Sequence, residues 1–217
     1  ALSSAASDVY KRQRHVIRWA TQGFANVIRA EGEEAMQKGV AVCMDCRNHS
    51  AEFARETACV MAANGIHVRL FESLRPTPEL SFAVREYGCQ AGVNVTASHN
   101  PKEYNGYKVY WSDGAQLPPQ HAAAIADELT RIDIFTGVRS MDYEQALAEG
   151  RIELLGEDCD RRFMANVMGM VNDYETVKKV ADDFGLVYTP FHGCGYKLVP
   201  EALTRLGIKH LYCEPKQ

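Results

Sequence analysis

A short polar segment in the middle of the chain combines residue types that are suited to group-transfer chemistry. The segment is Thr96-Ala97-Ser98-His99-Asn100-Pro101, and Lys108 follows it. A serine hydroxyl there can carry a phosphoryl group, and a lysine can supply positive charge or move a proton. For the residues taken alone, a serine that caps a turn is the simpler interpretation. The segment is therefore a candidate site. The residues around it decide whether the serine carries a phosphoryl group or only caps a turn.

The elements around this segment indicate where it lies in the fold. The apolar run 91–95 before it predicts a buried strand. Ser98 is then expected just beyond the carboxyl end of that strand, which is where ligands bind in open α/β sheets. The run 39–44 predicts a similar strand, and the loop after it contains Asp45 and Arg47. The two loops can therefore face each other.

Strand and helix patterns alternate along most of the chain. Helical spacing of apolar residues predicts a first helix over about 14–31, and from 143 to 184 the pattern is helical apart from the short apolar piece 152–155. This alternation predicts an α/β fold: a mixed, mostly parallel sheet flanked by helices, followed by an incomplete second α/β domain.

Three segments are expected along the chain. Residues 1–13 have no helical or strand period, which suggests a non-native or disordered leader, with an ordinary flexible N-terminus as the alternative. Residues 14–170 are expected to form a domain that contains the serine loop. Residues 171–217 are expected to form a linker helix and the truncated start of a second domain.

Composition excludes several classes of function. The net charge of -4 and the absence of a dense basic run give no reason to expect a nucleic-acid or membrane partner. Seven cysteines, an odd number, favour reduced thiols in a cytoplasmic protein over a disulfide framework. Cys43 and Cys46 have the spacing of a redox or zinc site, but no second pair or histidine cluster completes one, so buried thiols are expected.

Two motifs resemble a known family. The segment from Gly92 to Lys108, continuing to Gln116, resembles the active-site serine loop of the α-D-phosphohexomutases, the family of phosphoglucomutase and phosphomannomutase. It is most similar to a branch of bacterial phosphoglucomutases that also contains animal phosphopentomutase-like enzymes. The segment from Tyr188 to Gly195 resembles the opening of that family's second domain. Since the family usually has four domains, the resemblance implies an N-terminal fragment with domain I and the start of domain II.

The resemblance implies an isomerase that acts as an intramolecular phosphotransferase. It would interconvert hexose 1-phosphate and hexose 6-phosphate through a phosphoserine, with phosphoglucomutase as the first choice. The alternatives are a phosphomannomutase, a phosphopentomutase, or a non-catalytic truncated fragment of such an enzyme. The fragment alone is expected to be inactive. A serine hydrolase is disfavoured because the Gly-x-Ser-x-Gly elbow is absent. Sugar preference and oligomeric state stay open.

The resemblance also assigns roles to five residues. Ser98 would carry the phosphoryl group, Lys108 would act as general acid or base, and His99 would line the site near the phosphate. Arg47 and Asn100 would contact phosphate or shape its loop, because a guanidinium suits phosphate and a residue before proline favours extended conformations. The alternatives are a loop histidine that bonds backbone groups and a strand lysine that faces solvent.

Two small molecules complete the expectation. One oxygen of a phosphate on Ser98 would bind Mg²⁺, a hard cation that prefers oxygen ligands, while the remaining metal ligands are absent from this sequence. The nearest acidic pattern, 157–161, indicates instead the start of a helix. A hexose 1,6-bisphosphate would serve as activator, and the substrate would be a sugar phosphate.

Overall fold

A computed structural model describes residues 10–216, with side chains from Gln13 onward. The chain divides into two compact units between Leu155 and Gly156. The domain boundary expected after residue 170 therefore lies one helix later than the division seen in the structure. Most of the expected leader falls outside the described residues, although a helix begins at Tyr10, four residues before its predicted start.

The first unit alternates helices and strands, as predicted. Its helices are α1 Tyr10–Ala30, α2 Glu33–Lys38, α3 Ser50–Ala63, α4 Thr77–Glu86, α5 Pro119–Leu129 and α6 Tyr143–Ala148. Its strands are β1 Val40–Met44, β2 Val68–Phe71, β3 Ala91–Val95, β4 Tyr107–Trp111 and β5 Ile152–Leu155. The short helix α2 was not predicted. The apolar piece 152–155 forms the strand β5 rather than an interruption in a helical region.

Within the described residues, one five-stranded sheet has the order β4-β3-β1-β2-β5. Strand β1 is parallel to β2 and β3, β2 is parallel to β5, and only β4 runs antiparallel, against β3. This arrangement confirms the predicted mixed, mostly parallel α/β sheet. Because β1 and β3 are adjacent and parallel, their carboxyl ends bring the Arg47 loop and the Ser98 loop to the same edge.

Alternate residues of the strands point to opposite faces of the sheet. Val42 and Val93 belong to a buried apolar core with Phe24 of α1 and Phe53 of α3. The other face lies against α4, where a side chain at Gly92 would meet Val84 at 2.7 Å. Both faces are covered, as near-continuous apolar strands require, so the carboxyl edge of the sheet leaves the strand ends and their loops free for polar chemistry.

The second unit contains its own helices and a pair of strands. They are α7 Glu157–Gly169, α8 Tyr174–Val180, β6 Gly185–Tyr188, a 3₁₀ turn Cys194–Tyr196, α9 Leu198–Arg205 and β7 His210–Cys213. Strands β6 and β7 are parallel. The acidic segment that begins at Glu157 starts helix α7, as predicted, and Asp160 within it pairs with Lys197 at 2.5 Å.

Cys43 is buried and Cys46 is exposed, so the expected burial holds for the first cysteine and is wrong for the second. None of the seven cysteines, which all fall within the described residues, forms a disulfide. Every helix between residues 10 and 216 is too short or too polar to cross a membrane.

Candidate active site

The serine loop connects β3 to β4 and carries an unusual backbone conformation at its candidate nucleophile. Ser98 is exposed and has a φ of 60°, in the left-handed region that a residue with a side chain rarely adopts. Its amide donates a hydrogen bond to Thr96 Oγ1 at 3.1 Å. Its hydroxyl lies 3.3 Å from His99 Nδ1. A strained residue of this kind persists where surrounding groups hold it, and such residues cluster at functional sites.

Arg47, in the loop after β1, reaches across to the serine loop. Its Nη2 donates to the Ser98 carbonyl, and its Nη1 lies 2.6 Å from the Asn100 carbonyl and 2.7 Å from the Pro101 carbonyl. Its Nε donates to Asp45 Oδ2 at 2.9 Å. The Arg47 side chain is only 6% exposed. The guanidinium predicted to contact phosphate is therefore directed at backbone carbonyls of the serine loop.

Further hydrogen bonds hold Asp45, the partner of Arg47, and the end of the serine loop in place. Asp45 Oδ1 accepts from Ser50 Oγ at 2.8 Å, so Ser50 begins helix α3 while its hydroxyl bonds to the preceding loop. Asn105 Nδ2 donates to the same Ser50 Oγ at 3.0 Å and to the Asn48 carbonyl at 3.1 Å. Asn105 is buried. Asn105 therefore ties the end of the serine loop to the loop after β1, and Arg47 ties the start of the serine loop to it through the Ser98 carbonyl.

Asn105 and Ser50 were not among the site residues predicted from the sequence. The signal that identifies them is burial of a polar side chain, because a buried polar group requires a hydrogen-bond partner. Burial depends on tertiary packing, so it is not visible in a single sequence.

Lys108 lies on β4 directly opposite Asn94 of β3 in the antiparallel ladder. Opposite residues share a face of the sheet, so Lys108 projects toward the α4 side, where Asn94 Nδ2 donates to Thr77 Oγ1 at 2.8 Å. Tyr110 lies on that same face, and burial raises the pKa of its phenol, which therefore stays neutral. Lys108 is half-buried and sits one residue inside the edge that carries the serine loop.

Between residues 10 and 216, no group of three or more His, Cys, Asp or Glu side chains could hold a metal. Mg²⁺ prefers six oxygen ligands in octahedral geometry and keeps water where the protein supplies few. The residues present therefore do not fit a complete magnesium site, and Ser98 with a bound phosphate is the one prospective contact that the sequence suggested.

Gly106 allows the close approach that joins the end of the serine loop to its start. Thr96 donates its amide to the Gly106 carbonyl at 3.1 Å, and a Cβ at Gly106 would lie 2.6 Å from the Thr96 carbonyl oxygen. We expect Gly106→Ala to destabilise the chain by about 1–3 kcal/mol, because backbone must move to relieve the overlap. Urea unfolding measures this loss. Gly169→Ala, whose new Cβ meets nothing within 4 Å, is the matched control, and equal losses in the two variants would contradict the account.

The chain is similar to known proteins of one family. The profile of "phosphoglucomutase/phosphomannomutase, alpha/beta/alpha domain I" matches residues 7–134. The chain is 30% identical to a phosphoglucomutase of Staphylococcus saprophyticus over 201 residues, which are 93% of this chain and 35% of the relative. It is 40% identical to a human phosphopentomutase over 115 residues, which are 50% of this chain and 19% of the relative.

A solved structure agrees in fold. The phosphoglucomutase parafusin of Paramecium, in its open form, superposes with a TM-score of 0.72 at 19% identity, over 98% of this chain and 43% of that chain. The present chain spans about a third of the length of the Staphylococcus relative. The matched profile covers more than half of the chain and contains the whole serine loop together with the Arg47 loop that holds it. The chain therefore belongs to the phosphoglucomutase/phosphomannomutase family.

Proposed function

We propose that this chain forms part of a phosphosugar mutase in which Ser98 carries the transferred phosphoryl group. One observation carries the proposal: the Ser98 hydroxyl is exposed at the carboxyl edge of the sheet, on a loop whose backbone is fixed by its neighbours. Membership of the phosphoglucomutase/phosphomannomutase family supports phosphosugar chemistry at that position.

The proposed reaction consists of two successive phosphoryl transfers. In the first, the bond between phosphorus and the Ser98 oxygen breaks as a sugar hydroxyl oxygen bonds to phosphorus and loses its proton, which leaves a sugar bisphosphate and a free serine hydroxyl. In the second, the other phosphoryl group of the bisphosphate passes to Ser98, and the product monophosphate is released. Such transfers depend on positioning and on neutralisation of phosphate charge. His99, at 3.3 Å from the Ser98 hydroxyl, is close enough to contact the phosphoryl group.

The finer proposal is that the sugar is a hexose, interconverted between its 1-phosphate and 6-phosphate, with glucose first. The Staphylococcus relative is named a phosphoglucomutase, which supports glucose phosphate as the first substrate to test. Mannose and pentose phosphates are the competing substrates. Mg²⁺ and a hexose 1,6-bisphosphate activator belong to the same proposal. Relative kcat/KM values for glucose, mannose and ribose 1-phosphates, measured on the longest natural protein that contains this sequence, test the preference.

A chimera tests the chemistry itself. It joins residues 1–217 to the part of the Staphylococcus saprophyticus phosphoglucomutase that the alignment leaves out. We expect turnover of glucose 1-phosphate by the chimera and none by the 217-residue chain alone, because the chain spans about a third of that relative. A folded chimera without turnover, beside an active parent enzyme, would contradict the proposal that this serine loop supports phosphoryl transfer.

Lys108 is proposed as the general acid or base of the transfer. We expect Lys108→Met in the chimera to lower kcat by about 10²–10⁴-fold with a much smaller change in KM, since that is the usual contribution of acid-base assistance. Lys38→Met, which removes an exposed lysine from α2, is the matched control. A loss in kcat of less than about threefold would assign Lys108 to the scaffold, since positioned proton transfer contributes far more than that.

A further inference from the structure

We infer that Arg47 is a positioning residue that holds the backbone of Ser98 in its left-handed conformation. The inference rests on the proposed role of Ser98 as the phosphoryl carrier. It differs from the role that the residue type suggested, which was direct contact with phosphate. The distinction matters because one role acts on the shape of the loop and the other acts on the affinity for a ligand.

The backbone of Ser98 is held on both sides. Its carbonyl accepts from Arg47 Nη2, and its amide donates to Thr96 Oγ1 at 3.1 Å. The left-handed conformation is unfavourable for a residue with a Cβ, so it requires contacts that the alternative conformations would lose. The Arg47 bond is charge-assisted, which makes it stronger than a bond between neutral groups.

Arg47 fixes the remainder of the loop in the same way. Its Nη1 contacts the carbonyls of Asn100, Pro101 and Tyr104 at 2.6, 2.7 and 3.4 Å. These carbonyls lie in a loop that leaves the sheet, where the strand ladder provides no donors for them. A guanidinium offers several donors in a rigid planar fork, and a lysine cannot reproduce that arrangement. The single side chain of Arg47 therefore donates hydrogen bonds to carbonyls along the serine loop from Ser98 to Tyr104.

The side chain of Arg47 is itself held in place. Asp45 Oδ2 accepts from the Arg47 Nε at 2.9 Å. Asp45 Oδ1 accepts from the Arg47 amide at 3.0 Å and from Ser50 Oγ at 2.8 Å. With 6% of its side chain exposed, Arg47 is packed beneath the loop. Phosphate on the exposed Ser98 hydroxyl would approach from the solvent side of the same loop.

Hydrogen exchange on the 217-residue chain tests the inference without requiring any activity. We expect Arg47→Gln and Arg47→Lys to speed amide exchange in residues 96–106 by at least about tenfold, because each variant loses several bonds to a charged donor. Exchange in 40–44, the core strand β1, is expected to be unchanged. Arg55→Lys, at an exposed position on the following helix, is the matched control and is expected to change neither segment.

Nuclear magnetic resonance gives a second measurement, the backbone conformation of Ser98 itself. A residue that only adds to the stability of the first unit would leave that conformation unchanged. The amide–Hα coupling and the Cα and Cβ shifts of Ser98 report the sign of its φ. We expect left-handed values in the parent chain and in Arg55→Lys, and a shift toward negative φ in both Arg47 variants. Unchanged Ser98 signals with unchanged loop exchange would overturn the inference. Equal acceleration in the loop and in β1, or failure of both Arg47 variants to fold, would also overturn it, because Arg47 would then support the whole unit.

The chimera separates this inference from the proposed function. A positioning role predicts that Arg47→Lys lowers kcat by at least about tenfold while KM for glucose 1-phosphate stays within about twofold, because the lost interaction acts on the reacting group. A rise in KM with kcat retained would show direct phosphate binding and would overturn the inference. An inactive parent chimera would count against the proposed function alone, since the exchange and resonance results stand without turnover.

Discussion

Replacement of Ser98 by alanine is expected to remove mutase turnover from the chimera while leaving the fold intact. The change deletes the oxygen that we propose as the carrier of the phosphoryl group. We expect kcat to fall by more than about 10³-fold, as for other covalent catalysts that lose their nucleophile. Because the Ser98 side chain is exposed, unfolding by urea is expected to shift by less than about 0.5 kcal/mol.

A matched variant separates loss of the nucleophile from a general effect of serine removal. Ser112→Ala changes another exposed serine, just after β4, and is expected to retain full turnover. Residual activity of more than about a tenth in Ser98→Ala would show that Ser98 is not the phosphoryl carrier, since loss of a covalent nucleophile costs far more than that.

The second large effect is expected on stability, at a pair of charged residues in the core of the first unit. Arg75 is 1% exposed and Glu79, at the start of α4, is 0% exposed, and their side chains approach to 3.8 Å. Arg75 also donates to the Leu74 carbonyl at 3.0 Å. We expect Arg75→Met to destabilise the chain by about 3–5 kcal/mol, because it leaves a buried carboxylate without its guanidinium. Urea unfolding of the 217-residue chain measures the loss.

A double variant tests the cause of that loss. Arg75→Met combined with Glu79→Gln removes both charges, so it is expected to recover much of the stability that the single change costs, since an uncharged pair avoids the desolvation penalty. A double variant that is as unstable as the single one would assign the effect to lost packing around Arg75. A loss below about 1 kcal/mol in Arg75→Met would contradict the argument from burial.

The sequence was enough to predict the sheet and the sheet edge at which the loops of the candidate site meet. Apolar runs marked β1 and β3, and the rule that parallel strands carry ligands at their carboxyl ends brought Arg47 and Ser98 to one edge. Strand β5 was missed because four residues between two helices carry too little periodicity to identify a strand. Its pairing with β2 supplies the hydrogen bonds that make it one.

The sequence could not predict the hydrogen-bond and ion-pair partners of the polar side chains. The residue type of Arg47 suggested phosphate, but its donors point at backbone carbonyls that come together only once the loop has folded. The burial of Arg75 and Glu79 was likewise invisible, because charged residues at the start of a helix ordinarily face solvent. Both cases depend on tertiary packing, which a local pattern does not record.

Phosphopeptide mapping tests the central claim most directly. The folded chimera is incubated with glucose 1,6-bisphosphate, its intact mass is measured, and the modified peptide is sequenced by mass spectrometry. The account predicts the addition of one phosphoryl group, located on Ser98, and no addition in Ser98→Ala. Phosphate located on another residue of the chain, or an unmodified Ser98 in a chimera that turns over substrate, would contradict it.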